Sequence, residues 1–288
     1  MELNFKKITS ITKIHKKTKV VNFSVKTNEN YFANGILTHN CYMKRHKPEG
    51  LSIAKNTMDI LTEINSHIWF ADVEKPNQTH SEFITYDISC NEDFALHAKY
   101  HEWEKIFKFF KEHPKAMASF ATKYVNPDLT IFNPKNKVRI RFSLMPQIYS
   151  DKLEPNTSKI IDRIKAIDAF IDSGYDVHIN FSPVIVTNNW LQEYEDLFCM
   201  VNDYVDYKDV VKAEVIFLTH NKNKHQYNLI NNISGEDLLW TPKNQEDKTS
   251  QYGCENIRYR YDLKAEYIKQ WTDIHDKIIP WNKIRYIF

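Results

Sequence analysis

Glycine is scarce, at 5 of 288 residues, and set against 16 tyrosines and 17 phenylalanines that scarcity argues against flexible linkers and low-complexity tracts. Long apolar runs are missing too. No stretch is long enough to span a bilayer, and the N-terminus lacks the apolar core of a signal peptide, so a cytoplasmic chain with no membrane partner is expected. Neither sign of charge dominates. With 39 basic against 37 acidic residues and a net charge of +2, composition by itself gives no reason to expect nucleic-acid binding, although it leaves room for a local basic groove. The four cysteines, Cys41, Cys90, Cys199 and Cys254, are scattered, which fits a reducing compartment better than a disulfide framework. What the chain does have is 42% hydrophobic residues, enough for a proper core in one large or two smaller domains.

The pattern changes at residue 41. Residues 1–40 alternate β-prone and polar positions (Ile8, Ile11, Ile14, then Val20, Val21, Phe23, Val25) and are too short to bury a core alone. The basic run Lys13 to Lys19 reads either as a solvated face or as a patch that steers an acidic partner. Beyond Cys41, helix and strand alternate. Helices are predicted over 52–68, 95–112, 157–172, 190–205 and 263–278, and strands over 82–86, 118–122, 138–144, 177–186 and 213–218. A hairpin is expected within 240–261 and a short closing strand over 284–288. Such alternation means an α/β fold with a parallel sheet, and in a parallel barrel the chemistry sits at the C-terminal strand ends. Here those ends carry Asp87 to Asp93, Lys123, Ser143, Pro183 and Thr219-His220. On the helix 190–205, Cys199 beside Leu197 and Phe198 reads as core.

The join itself has chemistry. The amide nitrogen of Asn40 can attack its own backbone carbonyl and cut the chain as a succinimide, provided a neighbour moves the protons. His39 is the side chain suited to that near neutral pH, and Cys41 supplies a strong thiolate nucleophile. Tyr31-Phe32-Ala33-Asn34-Gly35-Ile36-Leu37 reads as a hairpin holding the three groups. The string Asn30 to Cys41, with the strand Val21 to Val25 before it, resembles the C-terminal splicing segment of an intein. It departs from that family in carrying Asn22 where many inteins have Asp and Glu29 where many have His. The resemblance implies an all-β segment, 1–40, acting as the C-terminal half of a split intein, with the N-terminal half on a separate partner chain.

A second resemblance covers residues 41–288. Cys41-Tyr42-Met43 is similar to the tail of the radical S-adenosylmethionine signature, C-x-x-x-C-x-x-C. The segments Asp87-Ile88-Ser89-Cys90-Asn91-Glu92-Asp93, Phe120-Ala121-Thr122-Lys123-Tyr124, Arg139 to Ser143, Leu153-Glu154-Pro155-Asn156-Thr157 and Ser173-Gly174-Tyr175 fall in the order of spore photoproduct lyase and its relatives. The resemblance implies a partial (β/α) barrel lacking its first strand, with a four-iron four-sulfur (4Fe-4S) cluster and S-adenosylmethionine as cofactors. Carried over by position, Cys41 is a cluster ligand, Tyr42 the aromatic residue after it with a relay role, and Cys90 the hydrogen-atom donor to the product radical. Asp93, Lys123 and Ser143 match positions that hold S-adenosylmethionine, while Glu92 replaces a serine. The hairpin around Tyr252-Gly253 loosely resembles the family's DNA-lesion wedge, with DNA as substrate.

Together the two resemblances imply a precursor: splicing at Asn40/Cys41 returns a free Cys41 thiol, and the two remaining cluster cysteines arrive on the partner chain. Other readings remain: a radical enzyme with another substrate, a non-catalytic nucleic-acid-binding remnant, or a longer gene with a contiguous intein.

Overall fold

Alternation in Val-Arg-Ile-Arg-Phe-Ser-Leu, residues 138–144, sends Arg139, Arg141 and Ser143 to one face and the apolar residues to the other, and this two-sidedness organises the whole molecule. The structure, a computed structural model, describes residues 56–70, 82–88, 93–249 and 255–287; the expected intein segment 1–40 lies outside them. The described chain runs α1 (Thr57–Phe70), β1 (Ile84–Asp87), α2 (Phe94–His97), α3 (Trp103–Glu112), β2 (Ala116–Thr122), β3 (Val138–Leu144), α4 (Gln147–Leu153), α5 (Ile160–Asp172), β4 (Asp176–Val184) and α6 (Trp190–Tyr204). It continues with β5 (Lys212–Phe217), β6 (Thr219–Asn221), α7 (Lys222–Ile230), α8 (Glu236–Leu239), β7 (Gln245–Thr249), β8 (Glu255–Tyr259), α9 (Tyr261–Ile278) and β9 (Lys283–Ile287).

Strands β1, β2, β3, β4, β5 and β9 form one six-stranded sheet in that order, and every pair is parallel. The sheet is a curled half-barrel of the expected α/β class. Parallel neighbours need crossovers, and the intervening helices cover the apolar face. Phe120 stacks on Phe107 of α3, Phe142 meets Phe170 of α5, and Phe181 meets both Phe198 of α6 and Trp271 of α9, with ring centroids 5.3–6.1 Å apart. Each such ring, fully buried, contributes on the order of 1.5–3 kcal/mol of transfer free energy. The opposite face is left for polar side chains. A second, antiparallel sheet, ordered β6-β8-β7, contains the hairpin expected near residue 250.

Several boundaries differ from expectation for local reasons. The helix expected over 95–112 is split: α2 passes into a 3-10 turn at Ala98–Tyr100, and α3 starts afresh at Trp103. The helix expected from Thr157 starts at Ile160, because the hydroxyl of Thr157 donates to the Glu154 carbonyl and that of Ser158 accepts from the Val125 amide. Helices α4 and α7 have no counterpart in the expected pattern. The closing strand is β9, which joins the parallel sheet as its sixth member. Cys199 is exposed rather than core, because the buried stripe of α6 is Trp190, Tyr194, Leu197, Phe198 and Val201, and position 199 falls off it.

The stop expected at Ser173-Gly174 is a Schellman-type cap, in which the amide of Gly174 donates to Ile171 and that of Tyr175 to Phe170. Gly174 has φ +87°, and a Cβ there would lie 2.3 Å from Oδ1 of Asn133. Gly174→Ala is therefore expected to lower stability by about 1–3 kcal/mol. Urea unfolding with an unchanged midpoint would contradict this account of the turn.

Candidate active site

At the C-terminal ends of β2 and β3 a run of polar groups is stitched together. Asp93 caps α2: its Oδ1 accepts from the Leu96 amide at 3.2 Å and the Thr122 hydroxyl at 2.7 Å, and its Oδ2 accepts from the Lys123 amide at 2.7 Å. This carboxylate locks the end of β2 to the start of α2. The ammonium of Lys123 lies 3.5 Å from Oε1 of Glu154, in the turn after α4. Oε2 of Glu154 accepts from Nη1 of Arg163 at 2.9 Å.

Arg163, on α5, is fully buried, and its guanidinium makes five hydrogen bonds. These run to the carbonyls of Ser158 and Ser143, the carboxylate of Glu154 and the hydroxyls of Ser150 and Thr157. A buried guanidinium is tolerable only when its donors are satisfied, as they are here. Ser143 itself is buried, and its hydroxyl lies 3.5 Å from Nδ2 of Asn180, the neighbouring residue on β4. Oδ1 of Asn180 is buried with no hydrogen-bond partner among the described residues. Beside this array a cavity of about 260 Å³ opens between α4 and α5, lined by Gln147, Ser150 and Asp151 and by residues 154–159.

Deeper on the same face lies a charged lattice. Glu214 of β5 accepts from Arg285 at 2.6 Å and from the Tyr286 hydroxyl at 2.6 Å, both on β9, and pairs with Arg141 of β3 at 3.5 Å. Arg141 also pairs with Asp87 at the end of β1, and Arg139 with Asp176 at 2.7 Å. His178 stands between Asp176 and Glu214, 3.2 Å and 3.7 Å away. Burial pushes the Glu214 carboxyl up, but the neighbouring His178, the charge of Arg141 and the Tyr286 hydroxyl outweigh it and hold the group at about 2. Asp176 is likewise held low, burial being overcome by His178 and Arg139. The Tyr286 hydroxyl is pushed up by burial and by the negative charge of Glu214.

Of the residues singled out from sequence, Asp93, Lys123 and Ser143 are brought into one array, joined through Glu154 and Arg163. His39, Asn40, Cys41, Tyr42, Cys90 and Glu92 lie outside the described residues. Lys123 is paired with Glu154 at the strand-end rim, and Thr219-His220 leave the parallel sheet to start the second one. Sequence reasoning missed Arg163, Asn180, His178 and Glu214. Glu214 carried a usable signal, as the one acidic residue in the apolar run Ala-Glu-Val-Ile-Phe, whereas His178 and Asn180 alternate with apolar residues as solvent-facing positions do.

The donor set suits S-adenosylmethionine. Asn180 presents an unpaired buried acceptor, Ser143 a hydroxyl and Lys123 a cation, which match a ligand bearing amino, hydroxyl and carboxylate groups. The only cysteine among the described residues, Cys199, is on the outer helix α6, so thiolates for a cluster must come from elsewhere.

Glu214→Gln should expose the role of the lattice. It leaves Arg141 and Arg285 partly uncompensated, so a loss of about 3–5 kcal/mol is expected at neutral pH. A carboxylate held at about 2 rather than 4.5 adds stability that is present above pH 4.5 and disappears as pH falls through about 2. The variant should therefore lose less between those two values. Identical urea midpoints for both proteins across that range would refute this.

The spore photoproduct lyase family model matches residues 11–288 of the chain. The spore photoproduct lyase of Clostridium acetobutylicum is 27% identical over 255 residues, covering 86% of this chain and 72% of its own. Among solved structures, a cysteine-to-alanine variant of spore photoproduct lyase with dinucleoside spore photoproduct superposes with a TM-score of 0.74 at 19% identity, over 87% of this chain and 73% of that one. A double variant with bound AdoMet and dinucleoside spore photoproduct gives the same values. Because the family match takes in every described residue, the chain belongs to the spore photoproduct lyase family.

Proposed function

We propose that the chain supplies the larger part of a radical S-adenosylmethionine enzyme that reverts a thymine photoproduct in DNA, and that it reaches that state by splicing at Asn40/Cys41. The array joining Asp93, Lys123 and Ser143 through Glu154 and Arg163 carries the first half of this reading. It brings three residues, separated by up to fifty positions in sequence, to one strand-end rim on the polar face. S-adenosylmethionine on a four-iron four-sulfur cluster would supply one-electron, hydrogen-abstracting chemistry there. Asn180 Oδ1 and the Ser143 hydroxyl would orient the cofactor, and Lys123, steadied by Glu154, would meet its carboxylate. Cys90, three residues before Asp93, would return a hydrogen atom to the product from its weak S–H bond.

The splicing half rests on sequence. The chain holds four cysteines, and none has the spacing of a cluster loop, so Cys41 needs two thiolates from sequence this chain does not contain. Ligation through Cys41 would bring them. The Cys41 thiolate would take the partner's acyl group from a thioester; Asn40 would then close on its own carbonyl and break the 40–41 peptide bond, with His39 protonating the Cys41 amine, and that amine, once deprotonated, would take the acyl group from the sulfur. One finding favours a second reading: the family match begins at residue 11, upstream of the join, as it would if 11–40 belonged to the lyase-like part and no splicing occurred.

Two experiments test these readings. Mixed with an N-terminal precursor, the chain is expected to release a segment ending in a succinimide at Asn40, and Asn40→Ala is expected to abolish that release. Mass spectrometry showing no cleavage, or cleavage unchanged in the variant, selects the second reading. Anaerobically reconstituted ligated protein is expected to bind an iron-sulfur cluster and to revert photoproduct-containing DNA. In it, Asn180→Ala should weaken S-adenosylmethionine binding about five- to tenfold, the worth of one hydrogen bond. Cofactor affinity untouched by that change would remove Asn180 from the site, and turnover confined to other substrates would exclude the repair activity.

A further inference from the structure

The second sheet holds a cluster that the radical chemistry does not use. His220, on β6, is completely buried; His225, in the first turn of α7, and Glu236, the first residue of α8, are 6% and 5% exposed. Nε2 of His220 and Nδ1 of His225 both point at one oxygen, Oε2 of Glu236, at 2.9 Å and 2.6 Å. The other oxygen, Oε1, is taken by Nδ2 of Asn228. Trp240 lies flat on the His225 ring, 3.9 Å between centroids and 6° between planes, which fixes its orientation. Among the described residues no lysine or arginine pairs with Glu236; its ion-pair partners are the two histidines.

A buried carboxylate needs a compensating charge. Two species can provide it at this point, a proton held on one imidazole or a metal ion held by all three side chains. The placement favours the ion. Three donor atoms from three separate elements converge on one spot, all within 4.8 Å of one another. Asn228 holds the carboxylate from behind, as the outer partners of metal ligands do. We propose that His220, His225 and Glu236 bind a divalent transition-metal ion of the zinc class, with water in the fourth position. Two histidines and a glutamate are a ligand set that zinc accepts. The ion takes the place of the protons between the nitrogens and Oε2, each imidazole keeping one proton on its other nitrogen and any excess passing to solvent, and bonds of about 2.0–2.2 Å move the three atoms apart by roughly half an ångström.

Three protein ligands and a water are the set of a zinc site with an open position, but with all three ligands buried the ion's role here is to hold the local fold. His220 pairs with Ile257 of β8, so the ion would tie the β6-β8-β7 sheet to α7 and α8 and hold the hairpin at a set angle. No part of this depends on the cluster or on splicing.

The test uses the full-length chain, cleared of iron with a chelator and titrated with Zn²⁺ against a chromophoric competitor. One equivalent is expected to bind, and Zn²⁺ is expected to slow hydrogen exchange in β6 and β8. His225→Gln and Glu236→Gln should each abolish that equivalent, and Asn228→Ala should weaken it about 10–100-fold. Co²⁺ in the same place should show d–d bands without the charge-transfer band of thiolate ligation. No saturable binding, binding retained in both ligand variants, or a thiolate band would overturn the proposal. Should the ligand variants fail to fold, an affinity unchanged in Asn228→Ala would also overturn it.

Discussion

The carboxylate of Glu214 is the tie on which the polar face of the sheet depends. It accepts from Arg285 and Tyr286 of β9, pairs with Arg141 of β3 and lies beside His178 of β4, so one buried group on β5 spans four strands. Arg141 extends the tie to Asp87 on β1. A parallel sheet covered by helices on one face has apolar packing to hold that face, but nothing apolar to spare for the other. Ion pairs and hydrogen bonds take over there, and they tolerate burial because each charge has a partner of opposite sign. The result is a rigid polar floor of the kind a preorganised site requires.

That floor also explains where the site lies. In the lattice the charges are paired with one another, and Nε of Arg141 is a buried donor left over. Toward the C-terminal ends the pattern changes: Ser143 and Asn180 meet only weakly, and Asn180 keeps an acceptor unpaired. Arg163 and Glu154 then hold the backbone of Ser143 and the side chain of Lys123 from outside the sheet. Two of the groups proposed to meet the cofactor, Ser143 and Lys123, are thus positioned by Arg163 and Glu154. A substitution at Arg163 is in that sense a substitution at Ser143.

The second sheet follows a different logic. It is small and antiparallel, and its cover is the two helices α7 and α8, the latter of four residues. Burial of apolar surface is limited there, and the convergence of His220, His225 and Glu236 provides the cross-link. Small pieces of structure commonly depend on such a staple where their core is thin.

Much of the parallel sheet was legible in the sequence, because strand alternation and helical spacing are local properties. Val138–Leu144 and Trp190–Tyr204 appear almost where their periodicity puts them. Asp93, Lys123 and Ser143 were legible as strand-end polar residues and as matches to a family pattern. Arg163 was not, since an arginine within a predicted helix reads as solvated, and its burial comes from Glu154, Ser150 and Ser143, nine to twenty residues away. Cys199 was misjudged for a related reason: being next to Leu197 and Phe198 says less than the angle at which α6 meets the sheet. The amino-acid order by itself determined the alternation of elements, the sidedness of each strand and the cap at Gly174, all of which are set within a few residues. Tertiary structure alone decided which charges meet, because Glu214 and Arg285, or His220 and Glu236, find each other only after the chain has closed and water has been expelled from between them.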